Sequence, residues 1–276
     1  MGLDFFGDFC RALSRPLSAT DAVSAAASRR MAQDILAALR ALVVFDHSVT
    51  FSFSGTSTPV DLFDTFNPAE RHVLVTQYLR GPFLLDPFFR AASERRAGFW
   101  RMRELAPDRF FSSDYFRNYY VQTGLSEEVG FVVPMNGGFT VTLSLMRLRK
   151  SRVFSNRDIA LLRDSEPLIA NLVQRCWRRA EEGTDAATTS ALKPEVQSRV
   201  ELPAVSAGWS ELKLTLREAE IVDLVLQGYS SDAIAHRLCI ARGTVKVHRR
   251  NAYLKLGITS QAELLAMYMS RVMHCR

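Results

Sequence analysis

The sequence predicts an α+β protein of two domains, an N-terminal α-β-α sandwich and a C-terminal all-α domain of four helices. Three observations lead there. Residues 181–208 are rich in Ala, Thr, Ser, Pro and Gly and hold no sustained apolar period, so they read as a linker between residues 1–180 and 209–276. Before that stretch, period-two alternation is flanked by helical patterns; after it, each apolar stripe has helical spacing. The length of 276 residues suits two domains of ordinary size.

Each N-terminal element has its own signal. Thr20 is placed to cap an Ala-rich helix that runs to about Val44. Val49, Phe51 and Phe53 alternate with Thr50 and Ser52, which marks a strand. Asn67, Pro68 and Glu70 form an N-cap, first turn and capping-box acid, and Ser113 is placed to cap a helix through Tyr119 and Tyr120. Val129 to Met135 and Phe139 to Leu145 read as a hairpin, joined by Asn136-Gly137-Gly138, residues that tolerate positive φ. Ser155 and Asp158 make a second capping box, opening a helix towards Arg179 that Pro167 is expected to kink or break.

Composition narrows the function. Hydrophobic residues at 47% and charged residues at 23% are enough for a core in each domain. The net charge of +6 admits an anionic partner without naming one. Cys10, Cys176, Cys239 and Cys275 form no Cys-x-x-Cys pair and have no metal-ligand spacing, so they read as reduced thiols in a cytoplasmic protein. No apolar stretch approaches the ~20 residues that span a bilayer, and the N-terminus lacks a basic-then-apolar leader, so no membrane partner is expected. With no nucleophile elbow, phosphate-binding glycine loop or metal cluster, the expectation is no enzyme, no catalytic residue, no metal and no cofactor. His47 and His72 have no partner at catalytic or metal spacing and read as structural.

The C-terminal region carries the strongest pattern. Thr215 and Glu218 form a capping box before an apolar stripe at Ile221, Leu224 and Val225, and Gly228 ends that helix. Ser230 or Ser231 caps a short helix bearing Ile234, Ala235 and Leu238. Cys239-Ile240-Ala241 make a turn, a third helix runs from about Arg242 to Leu256, Gly257 closes it, and a fourth spans about Ser260 to Met269. Two short helices around a tight turn are a helix-turn-helix. The third helix carries Arg242, Lys246, Arg249, Arg250 and Lys255 with no Asp or Glu, while Val245, His248, Ala252 and Leu256 recur on its other side. Such a helix sets a basic face towards phosphates and groove edges and an apolar one towards its neighbours.

The run from Leu214 to Gly257 resembles the LuxR/NarL-type DNA-binding domain: the Leu-Thr-x-Arg-Glu opening, Gly228, Ile234-Ala235, Leu238, Thr244-Val245-Lys246, His248, Asn251 and Lys255-Leu256-Gly257 all match at fixed spacing. Ala241 departs, standing where that family usually has a Ser cap. The resemblance implies a bacterial transcription regulator. Lys246, Val247 and Arg250 would face base edges, and Arg242, Thr244, His248 and Arg249 would contact phosphates. It also implies a homodimer paired through the fourth helix, a pseudo-palindromic operator in double-stranded DNA, and RNA polymerase as a further partner. Packing within the domain accounts equally well for Met267, Met269 and Met273 on that helix.

Residues 71 to 145 resemble, more distantly, the PAS/GAF-like autoinducer-binding sensor domain of quorum-sensing LuxR proteins. Tyr78 precedes Asp86-Pro87, Trp100 follows, and Gly130 to Leu145 matches that family's Gly-x-x-x-Pro strand, glycine turn and Leu-Ser strand. Carried over, Asp86 would accept from a ligand amide, Tyr78 and Ser144 would bind carbonyls, and Trp100 would form an apolar wall. Leu74 stands where the family has a Trp that donates to the lactone carbonyl, which argues for a different small ligand or none. On the residues alone, Asp86-Pro87 is also an ordinary helix start and Tyr78 and Trp100 are also ordinary core aromatics. A receiver domain is excluded, because Thr56 and Ser57 follow the first strand where an acidic pair is needed. Three readings stay open: a regulator gated by a small ligand, an acyl-homoserine lactone receptor, and a ligand-independent regulator under a protein partner, its pocket filled by some of the 18 Phe.

Overall fold

The computed structural model describes residues 3–18, 24–55, 57–118, 120–178 and 212–274. The linker 181–208 and the expected cap at Thr20 lie outside the described residues. In chain order the elements are α1 (Leu3–Ser18), α2 (Ala25–Leu42), β1 (His47–Phe53), β2 (Val60–Asp64), α3 (Pro68–Arg71), α4 (Pro87–Ser93), β3 (Gly98–Arg101), α5 (Met102–Leu105), α6 (Asp114–Asn118), β4 (Leu125–Pro134), β5 (Thr140–Leu148), α7 (Asn156–Trp177), α8 (Leu216–Leu226), α9 (Ser231–Arg237), α10 (Arg242–Leu256) and α11 (Gln261–His274). They cluster into two compact units: residues 1–68, 91–102 and 125–200, and residues 69–90, 103–124 and 201–276.

The first unit is an α/β layer structure. Its five strands run antiparallel in the order β2-β1-β5-β4-β3. Directly opposed residues share a face of an antiparallel sheet. On one face Phe99, Phe131, Leu143 and Thr50 form a row, and Val129 with Leu145 and Val133 with Val141 lie beside it. These apolar residues join Phe9 and Leu13 of α1, Ile35 and Leu39 of α2, and Leu162, Ile169 and Leu172 of α7 in one core. The other face mixes chemistries: Val49, Ser144, Gly130 and Trp100 form one row, and Phe51, Thr142, Val132 and Gly98 the next. Ser144 and Thr142 are nonetheless buried, as are Val49 and Phe51. The central rows of both faces are thus buried, as a layered sandwich requires, while β2 and the Gly98–Arg101 edge are largely half-buried.

Local signals set the helix starts. Ser24 accepts from the Ala27 amide at 3.2 Å and opens α2. Ser155 and Asp158 make both bonds of the expected capping box at α7. The two helices are tied by a reciprocal pair: the Ser28 hydroxyl donates to the Cys176 carbonyl at 3.0 Å, and the Cys176 thiol donates to the Ser28 carbonyl at 3.3 Å. The Asn136-Gly137-Gly138 connection has φ of 74° and 86° at its glycines, the left-handed geometry expected of that turn.

Pro167 does not break its helix. Helix α7, 22 residues in all, runs on through it. The proline is exposed, while Leu162, Ile169, Leu172 and Val173 on the opposite side are buried. Burial of that stripe, at about 1.5–3 kcal/mol per large side chain, outweighs the ~3 kcal/mol cost of an interior proline. Because Pro167 only removes a backbone donor from an exposed position, Pro167→Ala should stabilise the protein by about 1–3 kcal/mol. A rise in the urea midpoint with unchanged slope would register this, and an unchanged midpoint would show that the proline is strain-free where it stands.

Candidate functional site

The C-terminal helices of the second unit are fixed by their ends. Thr215 and Glu218 make both capping-box bonds at α8. Ser230, of the two candidates, caps α9 by accepting from the Ala233 amide at 3.1 Å. All three helices of the motif then close with the same paired bonds. At α8 the Gly228 and Tyr229 amides donate to Val225 and Leu224; at α9 Cys239 and Ile240 donate to His236 and Ala235; at α10 Gly257 and Ile258 donate to Leu254 and Tyr253. Such a closure needs one left-handed residue. Gly228 and Gly257 supply it with φ of 93° and 68°, and Cys239 supplies it with φ of 52° despite its side chain.

Helix α10 rests on a narrow base. Val245 and Ala252 are fully buried, and His248 and Leu256 are half-buried. Ala241 stands at its N-cap with no side-chain bond, as its missing hydroxyl dictates. Its basic residues divide into two groups. Lys255 bonds Glu218 at 2.7 Å, Arg242 pairs with Asp232 at 3.2 Å, and Arg249 lies over the Tyr253 ring. Lys246 and Arg250, one turn apart, are exposed and make no hydrogen bond or ion pair with a described residue. Val247 beside them is 57% exposed, unusual for a valine within a domain and suited to contact with a thymine methyl. Thr244 is exposed as well.

Glu218 joins this helix to α8. Burial by itself would raise its carboxyl, but Lys255 and the amide and hydroxyl of Thr215 hold it below the ordinary carboxylate range. Sequence reading grouped Lys255 with the basic side that meets phosphates; its ammonium bonds Glu218 while the side chain stays exposed.

The four expected ligand residues fall in two groups. Trp100 and Ser144 belong to the first unit, on the same sheet face, with only Gly130 between them. The Trp100 indole donates to the Arg96 carbonyl at 3.1 Å and lies against the Arg96 guanidinium. Tyr78 and Asp86 belong to the second unit and are buried. Tyr78 follows a π-helical turn, His72–Gln77, a winding often found near functional sites. Its hydroxyl donates to Asp86 at 2.8 Å, and the other Asp86 oxygen accepts from the Phe88 amide at 2.7 Å. Asp86 is thus a helix cap and a tyrosine partner at once. Desolvation pushes its carboxyl up to about 6, against the Phe88 amide, the Tyr78 hydroxyl and the Arg90 charge. Leu74 is buried.

Sequence reading did not find Arg90, Asp108 or Tyr229. Arg90 donates to the Tyr229 hydroxyl at 2.5 Å and to the Leu105 carbonyl at 2.6 Å, and its guanidinium lies over the Tyr229 ring. Only the four-residue spacing of Asp86 and Arg90 was available as a signal.

Comparison with known proteins agrees with this geometry. The family described as bacterial regulatory proteins, luxR family, matches residues 212–268. A putative HTH-type transcriptional regulator in the exeN 3' region of Aeromonas salmonicida is 34% identical over 188 residues, 68% of this chain and 94% of that protein. The HTH-type transcriptional regulator MalT of Yersinia pestis is 46% identical over 50 residues, 18% of this chain and 6% of MalT. Among solved structures, the VqsR LBD domain from Pseudomonas aeruginosa has a TM-score of 0.47 at 24% identity, covering 63% of this chain and 95% of that one. Escherichia coli SdiA has a TM-score of 0.45 at 18% identity, covering 97% and 98%. The fold and the basic helix define a DNA-binding transcription regulator. The chain belongs to the luxR family of bacterial regulatory proteins.

The buried Asp86 has a pH signature. A raised carboxyl stabilises the fold below its ordinary value of 3.8, and that contribution is lost as pH rises through about 6. Asp86→Asn keeps an acceptor for Phe88 and removes the charge. Its melting temperature should rise relative to wild type between about pH 5 and pH 7. A constant difference across that range would mean the carboxyl titrates near its ordinary value.

Proposed function

We propose that α10 reads DNA sequence through Lys246, Val247 and Arg250 and that Arg242, Thr244, His248 and Arg249 position it on phosphates. The observation that carries this is the pair of exposed cations one turn apart, without a bonded partner among the described residues, beside an exposed valine, on a helix anchored from behind by Val245 and Ala252. Long cationic donors without an internal partner keep their full charge for guanine edges, whereas Arg249, held over Tyr253, is placed to meet the backbone. The protein acts as a cytoplasmic homodimer on a pseudo-palindromic operator, with the division 1–180, 181–208 and 209–276 separating sensing from DNA binding; it carries out no catalysis, and RNA polymerase is its further partner.

The N-terminal domain takes a small ligand; Tyr78 and Asp86 in the second unit and, separately, Trp100 and Ser144 in the first are its candidate contacts. The buried Tyr78–Asp86 hydrogen bond supports this, because a buried carboxylate with remaining acceptor capacity suits an amide or other donor. Leu74 supplies no donor for a lactone carbonyl, which favours a ligand other than an acyl-homoserine lactone. A second reading, regulation without a ligand, is favoured by the same pair, since Tyr78 and Asp86 already satisfy each other. Native mass spectrometry and melting of the full chain across acyl-homoserine lactones and other amphipathic amides separate the two. A ligand that raises the melting temperature in wild type but not in Tyr78→Phe supports gating; no shift across the panel supports the second reading.

Duplexes enriched by the full chain from a random pool supply the DNA test. Lys246→Ala and Arg250→Ala should each lose about 1–3 kcal/mol on the enriched site and relax its sequence preference. Arg249→Ala should weaken binding to every duplex and flatten the salt dependence by about one unit of slope. Wild-type binding by both Lys246→Ala and Arg250→Ala would remove α10 from the groove.

A further inference from the structure

The turn between β5 and α7, in the first unit, is pinned from beneath and charged on its outside. The Ser151 amide donates to the Leu148 carbonyl at 2.9 Å, which closes a four-residue turn with Arg149 and Lys150 at its corners. Asp46 holds that turn: one carboxylate oxygen accepts from the Leu148 amide at 2.9 Å and the other from the Ser151 hydroxyl at 2.8 Å. Glu127 holds the chain beyond it, accepting from the Phe154 amide at 2.7 Å and from Arg101 at 2.5 Å. Phe154 is buried, and the Arg147 guanidinium lies over its ring.

The charges of this region divide by depth. Underneath, Arg101 and Arg147 stand with Glu127 and Asp46, two cations with two carboxylates. Burial by itself would raise the Asp46 carboxyl, but the Leu148 amide, the Ser151 hydroxyl and the Arg147 charge hold it below the ordinary range. Outside, Arg149, Lys150 and Arg152 are exposed, and none makes a hydrogen bond or an ion pair with a described residue. No Asp or Glu occurs between Glu128 and Asp158, and Asp158 is engaged in the capping box of α7. The inner carboxylates serve the anchorage, so the three outer cations stay uncompensated on a turn whose backbone is fixed.

Such a surface selects a partner by charge. A protein–protein interface keeps charged residues out of its centre and builds on apolar anchors. Among the described residues 149–153 the one exposed large apolar side chain is Val153, with cations beside it. Interfaces with nucleic acid are more polar and far more positive, and a duplex offers one phosphate charge per ~1.7 Å of its axis. DNA is also the polyanion that a member of this family meets. A duplex held by the C-terminal domain is presented to the rest of the same chain at a high local concentration, so a patch too weak to bind alone becomes occupied.

We propose that the β5–α7 turn is a second DNA contact: Arg149, Lys150 and Arg152 take phosphates of the duplex flanking the site that the C-terminal domain holds. The contact adds affinity and salt dependence and reads no bases. It rests on DNA binding by the chain and not on which side chains of α10 face the base edges.

The test measures the full chain on two forms of the enriched duplex. One is trimmed to the base pairs that enrichment fixes; the other carries about 30 base pairs of flank on each side, roughly 100 Å at 3.4 Å per base pair. Wild type should bind the flanked form about tenfold more tightly at low salt, with a salt slope steeper by about 2–3, since each neutralised phosphate adds about 0.9. The variant Arg149→Ala/Lys150→Ala/Arg152→Ala should lose that advantage, bind the trimmed form as wild type does, and melt at the wild-type temperature. Arg15→Ala/Arg30→Ala/Arg40→Ala removes three exposed cations from α1 and α2 instead and should keep the advantage. Equal binding of both duplexes by wild type, or a flank advantage that survives in the turn variant, would overturn the contact and leave the turn to an acidic protein segment. Equal loss in the α1–α2 variant would overturn it too, in favour of net charge alone. Lys246→Ala measured alongside should weaken the site yet keep the flank advantage, so a failure of the DNA-reading helix is seen separately.

Discussion

The Glu218 carboxylate is the contact on which the C-terminal half depends. It closes the capping box with Thr215, so it is part of how α8 begins. It also accepts from Lys255 at 2.7 Å, so it is part of where α10 lies. The side chain is 3% exposed, and a carboxylate so placed is tolerated only while its bonds are intact. Helix α10 has little else on that side. Val245 and Ala252 are small, and its remaining large aliphatic residues, Leu254 and Leu256, are exposed or half-buried. A helix that must keep most of its surface for a polyanion cannot bury a wide apolar stripe, and an ion pair to the buried Glu218 near its C-terminal end makes up part of the difference.

The sheet meets a related constraint differently. Its face towards α1, α2 and α7 is closed with aromatic and aliphatic residues, which specify one packing and nothing more. Its other face is buried at its centre but carries Ser144 and Thr142 among Val49, Phe51 and Val132, with Gly130 standing between Ser144 and the half-buried Trp100. Burying hydroxyls costs free energy unless they find partners, so a face of this composition is a poor choice for filling space. Trp100 and Ser144, two of the ligand contacts proposed above, lie on this face.

Much of the architecture is legible in the sequence because its signals are local. A capping box is decided within four residues, and Ser155–Asp158 and Thr215–Glu218 stand as the pattern predicts. The β4–β5 hairpin is decided by alternation and by two glycines. Helix α1 went unread, although its core residues Phe9 and Leu13 stand four apart, at helical spacing. The Tyr78–Asp86 pair was legible as two residues at a telling spacing, but not as a hydrogen bond between them. The closure of α9 at Cys239 was read as a turn without its positive φ, since no glycine announces it. The grouping of residues 69–90 and 103–124 with the C-terminal helices was not legible, because it rests on contacts between residues more than a hundred positions apart.

Gly228 shows where the boundary of legibility falls. Its φ of 93° is required by the closure of α8, and that requirement is local: a helix that ends before a tight elbow needs a left-handed residue, and glycine adopts it without strain. The same glycine is also where the elbow meets the backbone of Phe110 at a separation that admits no Cβ. This second requirement comes from a segment 118 positions away, the difference between 228 and 110, and it leaves no separate mark, since the first has already fixed the residue. A position constrained twice looks in sequence like a position constrained once. Asp108 and Arg90 are the opposite case: neither is demanded by its own neighbourhood in the chain, and both meet the elbow only when Ser230 and Tyr229 arrive. Helix ends in this protein follow from neighbouring residues, whereas the contacts that hold the elbow follow from where the chain returns.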